Sequence, residues 1–365
     1  MLYLHIVKLE KFTEGFVNFI FNNFDESKHF FVVYGNNHKF DFESNSKNIV
    51  FIENYTEIKR NSKIYKIAKQ CDYIIINGIF GTEKCLLRLP LGSLSKCYLL
   101  FWGGDFYCID NSVKLLDYKT RINNTFKKML IRHAAGVINL IPGDYEELCK
   151  YCKPKGKHFV APIVDDGKIR QIIESINATL KQSSDTVKIL VGNSATKESQ
   201  QMEVFHMMEK FKDHNIEIYC PLSYGDSEYA KRVISEGKKI FGNKFIPLLD
   251  YMSLQDYMHL LSEMKIVVFN HKRQQAMGNI SASLGLNCKV YIRSDSPMWK
   301  YYKKELGYII NDALSISNIT FDEFNRIDSN QEGNIQIYLN VSSNEHHIKQ
   351  WKYLFRNIES VNDEE

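Results

Sequence analysis

The segment 270–279 collects groups that bind phosphates and sugars, namely Arg273, Gln274, Gln275, Gly278 and Asn279. A guanidinium group clamps phosphate oxygens, and the two glutamine amides suit ribose or sugar hydroxyls. The glycine and asparagine open a run of small residues that predicts a helix, whose first amides would face a diphosphate. The alternative is an ordinary solvated basic loop. Such a loop would not need so many long polar side chains next to a glycine at the start of a helix. The segment therefore predicts a diphosphate site.

Three other loops that follow predicted strands carry glycine, small polar or aromatic residues: Gly192, Asn193, Ser194, Tyr224 and Tyr251. The glycine lets the backbone approach a ligand, and asparagine and serine cap a helix whose amides then face an anion. The tyrosines offer rings to a nucleobase. Each loop also has a purely structural interpretation, as a helix cap or an ordinary turn. Because ligands bind outside the carboxyl ends of parallel strands, we expect these loops and the 270–279 segment to line a ligand site.

A second candidate site begins at Trp102, where two glycines follow the end of a predicted strand and precede a carboxylate. Gly103 and Gly104 allow the backbone to crowd a ligand, which places Asp105 at the mouth of the site. There the carboxylate would orient an acceptor hydroxyl or act as a general base. The structural alternative is a glycine turn that Asp105 caps.

The stretch 118–143 contains no acidic residue, and basic side chains recur along it: Lys119, Arg121, Lys127, Lys128 and Arg132. Apolar residues lie between them at helical spacing, including Phe126 and Met129. The pattern predicts a basic amphipathic helix whose basic face meets an anionic membrane surface while its apolar residues pack on the sheet. The alternative is an ordinary surface helix.

These candidate residues need strands to position them, and short β-rich runs alternate with helical patterns along the chain. The first series of predicted strands covers 2–7, 30–34, 49–52, 73–77, 97–102, 137–140 and 158–161. The second covers 187–191, 216–220, 244–249, 266–269 and 289–292. Segments such as 56–70 alternate isoleucine with lysine and arginine in helical fashion and predict crossover helices. Two parallel-sheet α/β domains in tandem follow from this order.

The last helical pattern, 345–358, carries apolar residues on one face, so it must dock on another part of the protein. We expect it to pack back on the first domain. The predicted organisation is therefore a first domain over 1–170, a second over 171–340 and a C-terminal helical segment over 341–365.

Composition limits the classes of function. The 365 residues and 44% hydrophobic content suffice for two ordinary cores. Lys and Arg number 47 against 43 Asp and Glu, and a net charge of +4 gives no reason to expect a nucleic-acid partner. The eight cysteines are scattered through apolar segments, which favours a reducing, cytoplasmic compartment. Apolar runs are too short to span a bilayer, so membrane contact would be peripheral.

Motifs for other chemistry are missing from the sequence. It contains no G-x-G-x-x-G, P-loop, H-E-x-x-H or G-x-S-x-G pattern. The Cys149 and Cys152 pair has redox or metal spacing but no second pair and no evident histidine partner. There is also no Asp-x-Asp pair of the kind that holds a divalent ion in many sugar transferases. We therefore expect no metal site and no cofactor.

Several segments resemble glycosyltransferase family 56, the bacterial 4-acetamido-4,6-dideoxygalactosyltransferases of enterobacterial common antigen synthesis. The similar segments are F-W-G-G-D-F-Y at 101–107, I-L-V-G-N-S at 189–194, the loop 221–225, and R-Q-Q-A-M-G at 273–278 before a small-residue helix. They occur in the same order from the first strand to about residue 300. The resemblance implies the GT-B architecture, in which two Rossmann-like domains face each other across a cleft.

The resemblance also implies a function. A sugar would move from a dTDP- or UDP-linked donor to a saccharide carried on polyprenyl diphosphate, at the cytoplasmic face of the cell membrane. The donor residues would be those of the 192–194 and 273–279 segments, and the acceptor would lie near Asp105 and the basic helix. Arg273 and helix amides would stabilise the departing diphosphate without a metal. Two other classes remain open from the residues alone: a non-catalytic nucleotide-sugar-binding or regulatory module, and a two-domain nucleotide-sugar epimerase.

Overall fold

A computed structural model of the chain describes residues 1–36, 42, 44–107, 109, 118–162, 167–179 and 185–360. The chain forms two compact units. Unit 1 comprises Met1–Asp166 together with His347–Glu365, and unit 2 comprises Gly167–His346. The boundary after the first unit therefore lies a few residues before the predicted position at 170.

Unit 1 is built on a parallel sheet, and in its described part the sheet has seven strands. They are β1 (Tyr3–Lys8), β2 (His29–Tyr34), β3 (Ile49–Ile52), β4 (Tyr73–Asn77), β5 (Cys97–Leu100), β6 (Gly136–Asn139) and β7 (Lys157–Val160). Their order is β3-β2-β1-β4-β5-β6-β7. The central strands are buried along nearly their whole length, as the continuous apolar runs of the sequence predict for a sheet covered on both faces.

The helices of unit 1 before its boundary are α1 (Thr13–Asn23), α2 (Lys63–Gln70), α3 (Gly104–Tyr107), α4 (Tyr118–His133) and α5 (Pro142–Cys152). The crossover helix predicted over 56–70 is wrong in its first half, which forms a short 3-10 turn over Tyr55–Glu57. Local capping explains the difference. The Asn54 side chain and Glu57 form a capping box around that turn, and the Ser62 hydroxyl accepts a hydrogen bond from the Tyr65 amide to start α2.

Unit 2 repeats the plan with a parallel sheet of six strands among the described residues. They are β8 (Val187–Val191), β9 (Ile216–Pro221), β10 (Phe245–Leu248), β11 (Ile266–Phe269), β12 (Lys289–Ile292) and β13 (Asn311–Asp312), in the order β10-β9-β8-β11-β12-β13. Two parallel α/β domains are thereby confirmed. The sequence did not predict β13, because two polar residues at an edge carry no strand pattern.

The helices that follow are α6 (Lys168–Asn177), α7 (Gln201–Met208), α8 (Ser227–Phe241), α9 (Leu254–Ser262), α10 (Met277–Gly285), α11 (Pro297–Trp299), α12 (Phe321–Asn325), α13 (Gly333–Val341) and α14 (Asn344–Ser360). No helix in the described ranges combines the length and apolar character that crossing a bilayer requires.

The last helix, α14, returns to unit 1. Its Trp351 ring lies 5.1 Å from Phe16 of α1, and its Phe355 ring lies 4.7 Å from Tyr3 of β1. The Tyr3 hydroxyl also donates a hydrogen bond to Glu359, at 3.0 Å. Residues 361–365, the end of the predicted C-terminal segment, lie outside the described residues. The apolar face that the sequence shows on this helix is the face buried in these contacts.

Candidate functional site

The two segments with the clearest binding chemistry, 192–196 and 270–276, directly follow two neighbouring strands of unit 2. Strand β8 leads into 192–196 and strand β11 leads into 270–276. These strands lie side by side, and the chain leaves them toward opposite sides of the sheet, β8 to β9 and β11 to β12. Such a topological switch point opens a crevice at the carboxyl ends of the strands, where open α/β sheets bind ligands. The fold thus brings the two segments together.

Hydrogen bonds join the segments through one amide group. The Gln275 side-chain nitrogen lies 3.2 Å from Asn193 Oδ1, 3.2 Å from the Ser194 hydroxyl and 3.0 Å from the Thr196 hydroxyl. The side chains of Asn193 and Ser194 are themselves buried. We expected both residues on the donor side of a site, and in the structure their side chains are buried against the 270–276 segment. Their buried oxygen atoms accept hydrogen bonds from the Gln275 side chain and so hold it in position.

A histidine that the sequence analysis overlooked completes this cluster. His271 is fully buried, and its Nε2 lies 2.9 Å from Asn193 Oδ1 and 3.2 Å from the Ser199 hydroxyl. Burial and then the nearby Arg273 charge lower the pKa of His271 to about 3, so the ring is neutral. Since Asn193 Oδ1 only accepts, Nε2 carries the proton, and Nδ1 is a buried acceptor without a partner in the described part of the chain. Its position two residues after a buried strand was the available signal.

The tyrosines lie at the ends of the next strands outward. The Asn193 side-chain nitrogen donates to the Tyr224 hydroxyl at 3.0 Å, and the Tyr224 ring remains 55% exposed. The loop is fixed because the Ala195 amide donates to the Tyr224 carbonyl. Gly225 beside it is obligatory, since an added Cβ would lie 2.4 Å from the Ala195 carbonyl oxygen. Tyr251 is 89% exposed. Both rings are thus available to a ligand at this edge.

The first turn of α10 is open to an anion. Ala276, the N-cap residue, precedes it with φ of +59°, a left-handed conformation that is unusual for alanine, and the Ala276 side chain forms no capping hydrogen bond. Gly278 is exposed, and a Cβ added there would meet no atom within 4 Å. Asn279 is half-buried in the same turn. Among the described residues, the amides of Gly278 and Asn279 have no hydrogen-bond partner, and they lie at the positive end of the helix dipole.

Arg273 lies just before this turn. Its side chain is 24% exposed, and its Nε is 4.0 Å from Glu198 Oε1. One guanidinium nitrogen donates to the Gln274 carbonyl oxygen at 3.2 Å. The Gln274 side chain, expected to bind ribose, is instead buried, because its nitrogen lies against the Met277 sulfur, 2.8 Å away. Arg273 thus remains beside the open helix turn, while Gln274 serves packing.

Gly192 allows the Gln201 side chain to pack closely against the backbone after β8. Its φ is +73°, and an added Cβ would lie 3.0 Å from the Gln201 side-chain nitrogen. That nitrogen donates to the Ser194 carbonyl oxygen at 2.6 Å. The glycine, predicted to let the backbone approach a ligand, is needed here for the approach of Gln201.

In unit 1, Asp105 does not lie at the mouth of a site. It is fully buried, and its carboxylate oxygens accept hydrogen bonds from the amides of Ile79, at 3.1 Å, and Trp102, at 3.0 Å. Burial raises the pKa of Asp105 to about 6, although those amides oppose the rise. The burial contradicts the expected position at the mouth of a site and fits the alternative, a glycine turn that Asp105 caps. The carboxylate ties together the segments that follow β4 and β5, where the backbone amides would otherwise be unpaired.

The segment around Asp105 still presents groups at the edge of the sheet. Gly103 has φ of +95°, and Gly104 is exposed. The Trp102 indole donates to Asn77 Oδ1, and its ring stacks on Phe12 with centroids 5.5 Å apart. The half-buried Trp102 is thus held rigidly at the carboxyl ends of β1 and β4.

The basic helix is confirmed as α4, but one of its basic residues points inward. Lys127 is buried, donates to the Ile79 carbonyl oxygen at 2.7 Å and lies 3.8 Å from the buried Glu83 carboxylate. The prediction that Lys127 lies on a basic outer face is therefore wrong. Its ammonium group is needed inside, because the Ile79 carbonyl oxygen and the Glu83 carboxylate require a donor. Lys128 is half-buried and Arg132 is exposed.

The outer surface of α4 is apolar as well as basic. Three exposed apolar side chains recur along it, at Tyr118, Ile122 and Met129. We expected the Met129 side chain to pack on the sheet, but the inward positions are taken by residues such as Leu130, Ile131 and Lys127. Within the described ranges, no group of three or more His, Cys, Asp or Glu side chains is arranged to hold a metal ion.

Comparisons with solved structures identify the fold. Over 99% of this chain and 100% of the other, the structure is similar to sucrose-phosphate synthase from Thermosynechococcus elongatus, with a TM-score of 0.66 and 11% identity. A trehalose-6-phosphate protein from E. coli bound with UDP-2-fluoro glucose matches over 98% of both chains, with a TM-score of 0.63 and 9% identity. A glycosyltransferase from Rickettsia africae matches over 98% of both, with a TM-score of 0.57 and 14% identity. The architecture is GT-B.

The sequence itself matches one family across most of its length. Residues 9–340 fit the family described as 4-alpha-L-fucosyltransferase, glycosyl transferase group 56. This match separates sugar transfer from the two other classes that the residues left open, a nucleotide-sugar-binding module and an epimerase. The matched range includes both switch-point segments of unit 2 and the glycine-rich segment of unit 1. The chain therefore belongs to glycosyltransferase family 56 and is a sugar-transferring enzyme.

Proposed function

We propose that this enzyme transfers an amino-deoxy hexose from a dTDP- or UDP-linked donor, and that unit 2 binds the donor. The observation that carries the proposal is the uncapped first turn of α10 beside Arg273, at the switch point of the sheet. Helix amides and a guanidinium group together suit the two phosphates of a nucleoside diphosphate. The first turn contributes the amides of Gly278 and Asn279.

The same groups account for catalysis at the donor. As the bond between the anomeric carbon and the phosphate oxygen breaks, the leaving diphosphate gains negative charge. Arg273 and the α10 amides are positioned in advance to stabilise that charge. Because they supply the positive charge that a divalent ion supplies elsewhere, we propose that transfer is independent of metal, and turnover unaffected by EDTA is the expected result.

The nucleoside would lie along the outer strands of the sheet. The exposed rings of Tyr224 and Tyr251 suit stacking on a base. The Gln275 amide, held by the cluster around Asn193, suits a ribose or sugar hydroxyl. The inward side chains of Asn193, Ser194 and His271 would act by fixing these groups in place.

We further propose that the acceptor is a saccharide on polyprenyl diphosphate, reached at the cytoplasmic face of the membrane. The support is the outer surface of α4, where exposed Tyr118, Ile122 and Met129 lie among exposed Arg121 and Arg132. Apolar side chains that enter the headgroup region, flanked by cations, favour an anionic membrane surface, with each cation contributing about 1 kcal/mol.

Calorimetric titration with dTDP and UDP tests the donor proposal. We expect one nucleotide to bind wild type and Arg273→Ala to weaken it at least tenfold, since a charge-assisted contact is worth about 1.5–3 kcal/mol. Lys238→Ala is the matched control. It removes one positive charge from the last turn of α8, at the other end of the strands, and should leave affinity unchanged. Binding of neither nucleotide, or equal binding by both variants, would contradict the proposal.

Sedimentation with vesicles tests the membrane proposal. Wild type should bind vesicles of phosphatidylglycerol and phosphatidylcholine more strongly than pure phosphatidylcholine. The double substitution Ile122→Ser and Met129→Ser should reduce that binding several-fold. The control Ile327→Ser, which removes an exposed apolar side chain from unit 2, should not reduce it. Equal sedimentation of all three proteins would argue against α4 as the contact.

A further inference from the structure

Unit 1 has a topological switch point of its own. In its sheet order, β1 and β4 are neighbours, and the chain leaves β1 toward β2 and β4 toward β5. By the same rule that locates the donor segments in unit 2, the residues after β1 and β4 should contact the second substrate. Glu10 lies two residues after β1, and Asn77 is the last residue of β4. Neither residue lies in a motif that the sequence alone would single out.

A narrow cleft of about 10 Å³ lies at this point, and Glu10 is the carboxylate in its wall. Its lining includes Lys8, Phe12, Asn77 and Trp102. The walls are rigid because the Trp102 indole donates to Asn77 and stacks on Phe12. The cleft is too small for a sugar ring, so it admits no group larger than a hydroxyl or a water molecule.

The backbone of Glu10 is fixed while its carboxylate is uncommitted. Its amide donates to the Thr13 hydroxyl at 3.0 Å, and that hydroxyl donates to the Lys8 carbonyl oxygen at 2.6 Å. Among the described residues, none gives the carboxylate a hydrogen bond or an ion pair. The two nearest ammonium groups lie against rings instead, Lys8 over Phe80 and Lys11 over Phe12.

Two other carboxylates near this edge, among the residues that the structure describes, are already engaged. Asp105 accepts two backbone hydrogen bonds and has no exposure, and Glu83 is buried against Lys127. Glu10 is half-buried, and burial raises the pKa of its carboxyl, against the opposing charges of Lys8 and Lys11. A partly desolvated carboxylate at a switch point has the properties of a general base.

We propose that Glu10 is the base that activates the acceptor, an inference that rests on the transferase function proposed above. Glu10 takes the proton of the acceptor hydroxyl as its oxygen forms a bond to the anomeric carbon of the donor. The bond from that carbon to the phosphate oxygen breaks, and its electron pair leaves with the nucleoside diphosphate. The proton stays on Glu10 until product release. Direct displacement of this kind inverts the anomeric configuration.

The test uses the full-length enzyme, with dTDP-4-acetamido-4,6-dideoxygalactose and UDP-glucose as donors and water as the acceptor. Release of nucleoside diphosphate is measured for wild type, Glu10→Gln and Glu14→Gln. The control removes the same charge from an exposed position in the first turn of α1. Dissociation constants for dTDP and UDP and thermal midpoints are measured on the same samples.

We expect Glu10→Gln to reduce donor hydrolysis by about 100-fold, the usual minimum for a general base, with nucleotide affinity and thermal midpoint unchanged. Sodium azide should restore turnover and give a glycosyl azide of inverted configuration, because azide has no proton to remove. Glu10→Asp, which keeps a carboxylate, should fall between wild type and Glu10→Gln. The apparent pKa of the acidic limb of the wild-type pH–rate profile should be higher than the usual pKa of a glutamate side chain.

The outcomes separate the two proposals. If wild type neither binds a nucleotide nor releases one from a donor, the proposed donor class fails and the role of Glu10 fails with it. If wild type turns over and Glu10→Gln matches Glu14→Gln, only the role of Glu10 is refuted. Loss of activity that azide does not restore would also refute it, as would a glycosyl azide of retained configuration.

Discussion

The buried pair of Lys127 and Glu83 allows a quantitative test of how α4 is oriented. Lys127→Met keeps the apolar stem of the side chain but removes the charge and the donor. It leaves the Ile79 carbonyl without this partner and the Glu83 carboxylate, whose side chain is 1% exposed, without its counter-charge. Removing one member of a buried pair costs about 3–5 kcal/mol. Lys128→Met, on the same helix but half-buried, should cost less than about 1 kcal/mol.

Urea denaturation followed by tryptophan fluorescence measures this cost for unit 1. Trp102 and Trp351 both belong to that unit, so a Trp299→Phe background removes the signal of unit 2. With a slope near 2 kcal/mol per molar urea, the midpoint should fall by about 1.5–2.5 M. Adding Glu83→Gln to Lys127→Met should recover part of the loss, because no unpaired charge then remains. Equal costs for the Lys127 and Lys128 variants would refute the inward orientation of Lys127.

Three further predictions concern single residues. Gly192→Ala should destabilise unit 2 by about 1–2 kcal/mol and weaken nucleotide binding, since φ is +73° and the new Cβ would press on the Gln201 side chain; thermal unfolding and calorimetry measure the two effects. Asp105→Asn should change how stability depends on pH. Folding raises the pKa of Asp105 to about 6, so its carboxyl contributes stability that is fully present below about pH 4 and is lost as the pH rises through 6. The difference between wild type and Asp105→Asn in urea titrations should change by about 3 kcal/mol across that window, and a constant difference would contradict the prediction. Trp351→Ala, at a side chain only 1% exposed, should cost unit 1 about 3–5 kcal/mol in the Trp299→Phe background, where Trp102 is then the remaining reporter.

Much of the fold could be predicted because fully buried parallel strands have continuous apolar sequences. The runs 73–77, 187–191, 266–269 and 289–292 match strands of the structure at both ends. Prediction failed where side chains compete locally with the regular element. The 56–70 segment has helical periodicity throughout, yet the capping box of Asn54 and Glu57 stops the first turn. Periodicity reports which face is buried and carries little information about such caps.

The side of α4 that packs inward could not be predicted from its residues. Lysine and apolar side chains alternate along it, so two faces have similar hydrophobicity, and either could cover the sheet. The Ile79 carbonyl and Glu83 carboxylate decide between them, because they need a cation. Both belong to segments distant in sequence. These polar partners thus determine which face of α4 packs inward. Met129 lies on the opposite face and is exposed as a consequence.

Asp105 and Glu10 show how the same rule can succeed or fail. Both follow strands that end at one edge of the sheet in unit 1, and reading post-strand residues selects such carboxylates. The glycines at 103 and 104 drew attention to Asp105, but a sharp turn exposes backbone amides that need an acceptor, and the nearest carboxylate is used for them. Glu10 follows the inner strand β1, at the switch point and without a glycine turn, and its own amide donates to the Thr13 hydroxyl. A carboxylate is therefore more available for chemistry where the surrounding backbone is already paired, so the search for a base should favour switch-point residues over residues that close turns.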